Sequence, residues 1–245
     1  MSRNKRGSRG VALLMEAATR AGRIVGVLIL LQMTGSALVN GVLEVPLFGT
    51  PGFLVNAAPH SQQIGLAAVL GVASEALWLG VAVTVFALAF PRTPRMALGL
   101  IALAAVVLAA AVAESAGMMS MVSLSDAYGR AGASERAQLE AIRVVVASAR
   151  NWAHFLSKVV TGATLFVFYA MMYRCALVPR AIATLGLIAS PLMVVAVGRP
   201  LFGYPVLFPM LALMGLSQFI LSLWLLVRGF RAETPSPTAL GASST

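Results

Sequence analysis

The sequence predicts an all-α fold: a polytopic membrane helix bundle with six transmembrane helices and one external amphipathic helix. Six long apolar segments support this prediction, because a helix needs about 20 apolar residues to cross a hydrocarbon core about 30 Å thick. The composition agrees, since 59% of the 245 residues are hydrophobic and only 11% are charged, whereas a soluble domain carries about 25% charged residues. The mean hydropathy of +0.89 points the same way.

The six predicted spans follow one another along the chain and form a single membrane domain over residues 24–230. Each is expected to be helical, because lipid offers no hydrogen-bond partner and the backbone must satisfy itself within the span. The spans are residues 24–43, 65–90, 96–122, 152–173, 181–198 and 206–227.

A short basic segment, residues 1–23, precedes the first span. It resembles the start of a signal peptide, but no clear Ala-x-Ala cleavage site follows and the apolar run is long enough to cross a membrane. We therefore expect an uncleaved first helix. At the other end, residues 231–245 are rich in Ser, Thr, Pro and Ala, a composition typical of a disordered tail.

The basic residues predict the orientation of the bundle. Of the 18 Lys and Arg residues, twelve fall in the N-terminal segment, the second–third and fourth–fifth turns and the C-terminal end. Cytoplasmic loops carry such an excess. Both termini are therefore predicted to be cytoplasmic, and the bundle is expected in the cell inner membrane. The net charge of +10 does not indicate nucleic-acid binding, because the basic residues form no groove and have no aromatic residues interleaved among them.

The connections carry their own signals. Pro91 and Pro94 predict a tight turn after the second span, and Pro191 predicts a kink in the fifth. In the external segment, residues 123–151, Leu139, Ile142 and Val146 recur at helical spacing. This pattern predicts an amphipathic helix that lies on the outer surface or caps the bundle.

Small residues predict two close helix contacts. The third span carries a small residue at every fourth position, and a Gly-x-x-x-Gly pattern (Gly22 and Gly26) opens the first span. Such residues allow two backbones to approach closely. The repeat in the third span consists of Ala105, Ala109, Ala113 and Gly117.

Ionisable and amide side chains inside the spans are the candidate functional residues, because such groups are costly in lipid. Depth follows from the helical rise of 1.5 Å per residue. Glu114 and Lys158 fall about 12 Å and about 9 Å below the outer ends of their spans, so we predict that they pair. His154 and Glu44 are expected nearer the outer rim. The predicted cluster consists of Glu75, Glu114, His154, Lys158 and Gln218.

Three interpretations of this cluster remain open. The first is a buried network that fixes the register of the helices. The second is a pocket for a small molecule or lipid headgroup, since charges of both signs suit a zwitterionic head. The third is a catalytic or zinc site, with Glu75, Glu114 and His154 as ligands. One intramembrane histidine is few for zinc, and no nucleotide-binding or hydrolase motif stands in a usable context. No metal and no cofactor are therefore expected.

Short motifs spread along the whole bundle point to a family. They are Arg20-Ala-Gly-Arg23-Ile-Val-Gly26, Ser74-Glu75, Glu114, Asn151-Trp-Ala-His154, Met172-Tyr173-Arg174, Leu177-Val178-Pro179-Arg180, Leu185-Gly186 and Leu223-Trp224-Leu225-Leu226-Val227-Arg228-Gly229-Phe230. On these motifs the chain resembles a bacterial family of six-helix integral membrane proteins known only as a domain of unknown function. The resemblance implies the fold and topology and brings no established activity. Members of that family often carry a glutamate in the sixth span where this chain has Gln218.

The preferred hypothesis is therefore binding or transport of a lipid or small amphiphile at the cluster, in the outer half of the bundle. One alternative is an intramembrane hydrolase or transferase that uses Glu114 and His154, so whether the protein is an enzyme stays open. The other is a structural or assembly subunit of a membrane complex. The expected partners are the lipid bilayer, a lipid or small amphiphile and, for the last hypothesis, another membrane protein.

Overall fold

A computed structural model describes the backbone of residues 2–231 and the side chains of residues 15–231. The predicted disordered tail, residues 231–245, therefore lies almost entirely outside the described residues. The helices are α1 (Ser2–Leu38), α2 (Val45–Phe48), α3 (Phe53–Asn56), α4 (Ser61–Ala89), α5 (Pro94–Arg130), α6 (Ala133–Arg174), α7 (Arg180–Gly198) and α8 (Phe208–Arg228). A π-helical turn, Val39–Leu43, extends α1, and a 3₁₀ turn, Arg199–Phe202, extends α7.

The predicted fold class is confirmed. Six helices are long and apolar enough to cross a membrane, and the part of the chain that the structure describes contains no strand. They are α1 with its π turn, α4, α5, α6, α7 with its 3₁₀ turn, and α8. The protein is thus a multi-pass membrane protein whose surroundings are a lipid bilayer.

The six long helices form a closed ring. Each packs against the next long helix along the chain, and α8 packs against α1. Because the helices alternate in direction, the start of α1 and the end of α8 lie at one end of the ring, which we call the terminal end. The other end, the distal end, holds α2, α3, the α5–α6 turn and the α7–α8 connection.

Buried aromatic and aliphatic side chains fill the centre of the ring towards the terminal end. The rings of Trp78 and Phe168 meet edge to face, with their centroids 5.6 Å apart. The rings of Phe168 and Tyr169 also meet edge to face, with their centroids 5.4 Å apart. The hydroxyl group of Tyr169 lies 3.2 Å from Ser217 Oγ, and Leu221 is fully buried beside them. This half of the interior is therefore a packed apolar core.

The contact that closes the ring uses glycine. A Cβ atom on Gly22 would overlap the backbone of Gly229 and Phe230, and one on Gly26 would lie 2.9 Å from the carbonyl oxygen of Ser222. Gly229 itself has φ +67°, a left-handed conformation that ends α8. The close approach predicted from the Gly-x-x-x-Gly pattern is confirmed as the α1–α8 contact.

The other predicted small-residue face does not pack inside this chain. Ala105, Ala109 and Ala113 are exposed on α5, so the prediction of a close helix contact there is wrong within the protomer. The reason is rotational: α5 turns the adjacent stripe, which includes Ala104, Ala111 and Glu114, towards the bundle. Gly117 alone of the four fits against a neighbour, since its Cβ would lie 3.1 Å from that of Arg150.

The external segment, residues 123–151, is helical as predicted, but it continues the third and fourth spans. Helix α5 runs on to Arg130 and α6 starts at Ala133, so only a short turn separates them. Val146 packs against a small apolar cluster that includes Phe53 and Met121, while Ile142 stays exposed. This continuity matters for the site, because it carries Arg150 into the bundle on the same helix as His154 and Lys158.

Candidate functional site

A buried arginine organises the first group of polar side chains. Arg150 is 4% exposed, and its Nη2 donates to Glu44 Oε2 and, at 2.9 Å, to Glu114 Oε1. His154 lies one helical turn further along α6, with Nδ1 2.7 Å from the same Glu114 oxygen. We call Glu44, Glu114, Arg150 and His154 the arginine group. The guanidinium also lies over the ring of Phe48, 4.9 Å from its centroid, which shields the ion pairs from the distal side.

Glu44 joins this group because of the local backbone. The π turn Val39–Leu43 ends α1, and Glu44 follows it directly, ahead of α2. The carboxyl group is buried even though Glu44 follows the distal end of α1. Burial raises the pKa of Glu44, because it penalises the charged form, and the nearby Arg150 acts in the opposite direction.

A second ion pair lies deeper in the ring. Lys158 Nζ donates to Glu75 Oε1 at 3.2 Å, and Glu75 is 5% exposed. We call these two residues the lysine pair. Glu75 stands at the middle of α4, between Ser61 and Ala89, and Lys158 lies two turns beyond Arg150 on α6. The pair therefore spans the interior of the ring from α4 to α6.

The predicted pair of Glu114 with Lys158 is wrong, because both residues have other partners. Glu114 binds Arg150 and His154, while Lys158 binds Glu75. Arg150 was not among the predicted site residues, because it falls within the predicted external segment, residues 123–151. Arg150, His154 and Lys158 are spaced four residues apart, so they occupy one face of a helix. That spacing is the signal that could have found the missing residue.

A cavity of about 550 Å³ opens next to the lysine pair. Its lining includes Glu75, His154, Lys158 and Gln218, four of the five predicted site residues; Glu114 reaches it only through His154. The remaining polar lining residues come from α1, its π turn and α6: Gln32, Ser36, Asn40 and Thr161. The apolar lining residues are Trp78, Phe155, Leu165, Met193, Val197, Val206, Phe208, Leu211 and Met214. Phe208 is 73% exposed, so the cavity reaches the surface near the start of α8.

A much smaller polar cavity, about 30 Å³, lies between the two groups. Glu44 and Glu114 line it on one side, and Glu75, Ser157 and Lys158 on the other. A space of this size with several polar partners can hold water. It therefore connects the arginine group to the lysine pair without an intervening apolar layer.

Several polar atoms at this site have no partner in the protein. They are buried and unpaired: Glu75 Oε2, Trp78 Nε1, Arg150 Nε and Ser157 Oγ. Buried polar atoms are nearly always hydrogen-bonded, and an unpaired one costs about 1–3 kcal/mol. Four of the five such atoms among the described side chains belong to this site, and the fifth is Trp224 Nε1.

The geometry bears on the catalytic and zinc hypotheses in different ways. With Glu114 ionised and the imidazole neutral, His154 donates from Nδ1 to Glu114 Oε1 and keeps Nε2 as an acceptor. This is the arrangement of a base oriented by a carboxylate. No three His, Cys, Asp or Glu side chains converge as metal ligands among residues 15–231. Arg150 already occupies the position of a cation between Glu44 and Glu114.

The family comparison agrees with the sequence prediction. The family model described as Domain of unknown function (DUF4386) matches residues 24–229. The chain belongs to this family. The DUF4386 match covers α1 from residue 24 onwards and the other five long helices completely, and it contains both ion-pair groups and the whole cavity lining. No curated protein matches the chain, and no solved structure matches it.

Double-mutant cycles, measured by thermal or denaturant unfolding, can test whether Lys158 pairs with Glu75 and not with Glu114. We expect Glu75→Gln and Lys158→Gln to couple by about 1 kcal/mol or more, because the residues touch. Glu114→Gln and Lys158→Gln should couple more weakly, because these two residues line the same small cavity but form no ion pair. Equal coupling in both cycles would show that Lys158 is shared between the two carboxylates.

Proposed function

We propose that this DUF4386 protein binds an amphiphile, a lipid or a smaller molecule with an apolar tail, in the cavity beside the lysine pair. The observation that carries the proposal is the mixed lining: α1 with its π turn contributes only polar side chains, α7 contributes only apolar ones, and α4, α6 and α8 contribute both kinds. The volume of about 550 Å³ falls within the range of about 300–1,000 Å³ typical of small-molecule sites.

Binding explains the cavity better than passive conduction does. On the terminal side, the buried side chains of Trp78, Phe168 and Leu221 belong to a core in which none of the described side chains is a carboxylate, lysine or arginine. A solute would need a large rearrangement of this core to pass. Transport therefore requires a second conformation, whereas binding requires only the conformation described.

We place the terminal end in the cytoplasm of a bacterium and the protein in the inner membrane. Eight arginine side chains at the terminal end are exposed, and cytoplasmic surfaces carry such an excess. They are Arg20, Arg23, Arg92, Arg95, Arg174, Arg180, Arg228 and Arg231. In this orientation the cavity lies in the outer half of the bundle and draws its ligand from the outer leaflet.

A glycine on α8 offers a test. Gly215 lines the cavity, and a Cβ atom there would meet nothing within 4 Å. We expect Gly215→Leu to fill the cavity and to abolish a co-purifying ligand, while the fold persists because leucine favours helix over glycine. Native mass spectrometry of the gently purified protein measures the bound species.

The matched control is Gly99→Leu on α5, where a Cβ also meets nothing within 4 Å and which lies outside the cavity lining. This variant should retain the ligand. A wild-type protein of bare mass, or a ligand that survives Gly215→Leu, would contradict the proposal. A bare protein that captures a second membrane protein would instead favour the role of an assembly subunit.

The second candidate is an intramembrane hydrolase or transferase, favoured by the 2.7 Å contact of His154 with Glu114. In that case the base at the cavity is His154 Nε2, and Glu114 orients the ring. Conversion of the bound amphiphile, lost in His154→Gln while binding persists, would support this candidate. Binding without conversion in the wild type would eliminate it.

A further inference from the structure

Two neighbouring residues of the cavity lining each carry a buried polar atom without a partner. Glu75 and Trp78 lie three residues apart on α4, which places them on one helix face. Both residues line the cavity and both are at least nine-tenths buried. Glu75 Oε2 lacks a donor and Trp78 Nε1 lacks an acceptor, and protein atoms enclose both of them in this conformation. The wall of the cavity is therefore short of one donor and one acceptor at neighbouring residues.

The charge of the cavity is already balanced. Of the ionised groups that line it, Glu75 and Lys158 neutralise each other at 3.2 Å. Glu114 is held by Arg150 and His154 in the neighbouring group. A ligand with a net charge would be buried without a counter-ion, and such burial costs several kcal/mol. The balance favours an uncharged head.

The missing partners define the chemistry of that head. An ammonium group only donates hydrogen bonds, and a sulfonate or phosphate diester only accepts them. A hydroxyl group does both, so one or two hydroxyls can donate to Glu75 Oε2 and accept from Trp78 Nε1 once a rotation of the two side chains turns these atoms towards the cavity. Lys158 donates one of its three N–H groups to Glu75 and can donate another to the head of the ligand.

We propose that the cavity selects an uncharged, hydroxyl-bearing amphiphile, of the class of monoacylglycerols and long-chain alcohols. This inference rests on the proposed amphiphile binding and adds the identity of the head. The hydroxyl group lies between Glu75 and Trp78, and the tail extends along the apolar wall towards Leu211 and Phe208, where the cavity reaches the surface.

The test compares three probes with one tail and different heads: monolauroylglycerol, dodecanesulfonate and dodecylammonium. Each is added at the same mole fraction to the full chain in phosphatidylcholine nanodiscs. The readout is Trp78 emission in a background with Trp152→Phe and Trp224→Phe, two residues outside the cavity lining. We expect monolauroylglycerol to bind at least about tenfold more tightly than either ion, a difference of about 1.4 kcal/mol.

Charge variants sharpen the test. Glu75→Gln leaves the cavity positive and should move the preference towards dodecanesulfonate, whereas Lys158→Gln leaves it negative and should move the preference towards dodecylammonium. The double variant Glu75→Gln with Lys158→Gln is neutral again and should restore the preference for monolauroylglycerol. If one single variant fails to fold, the wild type, the other single variant and the double variant still decide the result.

The outcomes separate the inference from the proposed function. Equal binding of all three probes, or a ranking unchanged by the charge variants, would overturn the hydroxyl selectivity while amphiphile binding stands. No response of Trp78 to any probe, in the wild type as in Gly215→Leu, would overturn both. Occupation by water alone gives that second result.

Discussion

Replacing Arg150 with methionine is expected to lower the free energy of unfolding by about 3–5 kcal/mol, the usual loss when one partner of a buried ion pair is removed. Arg150 is the cation that faces both Glu44 and Glu114, and all three side chains are buried. The variant leaves two carboxylates in an apolar interior with only His154 beside them. Denaturant titration in mild detergent measures the loss.

Arg143→Met is the matched control, because Arg143 pairs with Glu140 on the same helix but both side chains are about half exposed. An exposed pair contributes less than about 1 kcal/mol, so this variant should unfold like the wild type. Adding Glu44→Gln and Glu114→Gln to Arg150→Met should recover stability, since the uncompensated charge is gone. Equal effects of the two arginine variants would mean that Arg150 is not buried in an ion pair.

Gly22→Ala carries the second large expected effect. The new Cβ atom would overlap backbone atoms of Gly229 and Phe230, and no change of rotamer can move a backbone away. Helix α1 must separate from the end of α8, which opens the ring. We expect a loss of about 3 kcal/mol, the upper part of the range for overpacked sites, measured by thermal unfolding in detergent.

The control for this variant is Gly99→Ala, where the new Cβ meets nothing within 4 Å. Alanine favours helix over glycine by about 1 kcal/mol, so Gly99→Ala should match or exceed the wild-type stability. A stable Gly22→Ala protein with unchanged thermal unfolding would show that α1 and α8 do not meet at Gly22.

Patterns along single helices predicted the fold, because each span is specified by its own length and hydropathy. The polar residues inside the spans were found for the same reason: Glu75, Glu114, His154 and Lys158 stand out in an apolar background. Their partners could not be found this way. Pairing depends on how each helix is rotated and how far it extends. Helix α6 starts at Ala133, well before the predicted span start at residue 152, and this earlier start brings Arg150 to Glu114.

The cavity was beyond the sequence for a related reason. Its lining comes from α1, α4, α6, α7 and α8, and five separate apolar patterns do not reveal where their faces fail to meet. Trp78 illustrates the point. An indole in a span predicts core packing, and Trp78 does pack on Phe168. Its unpaired Nε1 suggests a ligand only together with the unpaired Glu75 Oε2, and the sequence does not show that either atom lacks a partner. The exposed alanines of α5 show the same limit, because a small-residue repeat does not reveal which face of a helix points towards the bundle.

The most direct test of amphiphile binding is a density map of the protein in nanodiscs made from its native membrane, with an antibody fragment on the distal loops to aid alignment. We expect one elongated density in the cavity, its head within hydrogen-bond distance of Lys158 Nζ and Trp78 Nε1 and its tail along Leu211 and Phe208. The map of Gly215→Leu should lack it. A cavity that holds only water-sized peaks, or that is closed by repacked side chains, would contradict the proposed function.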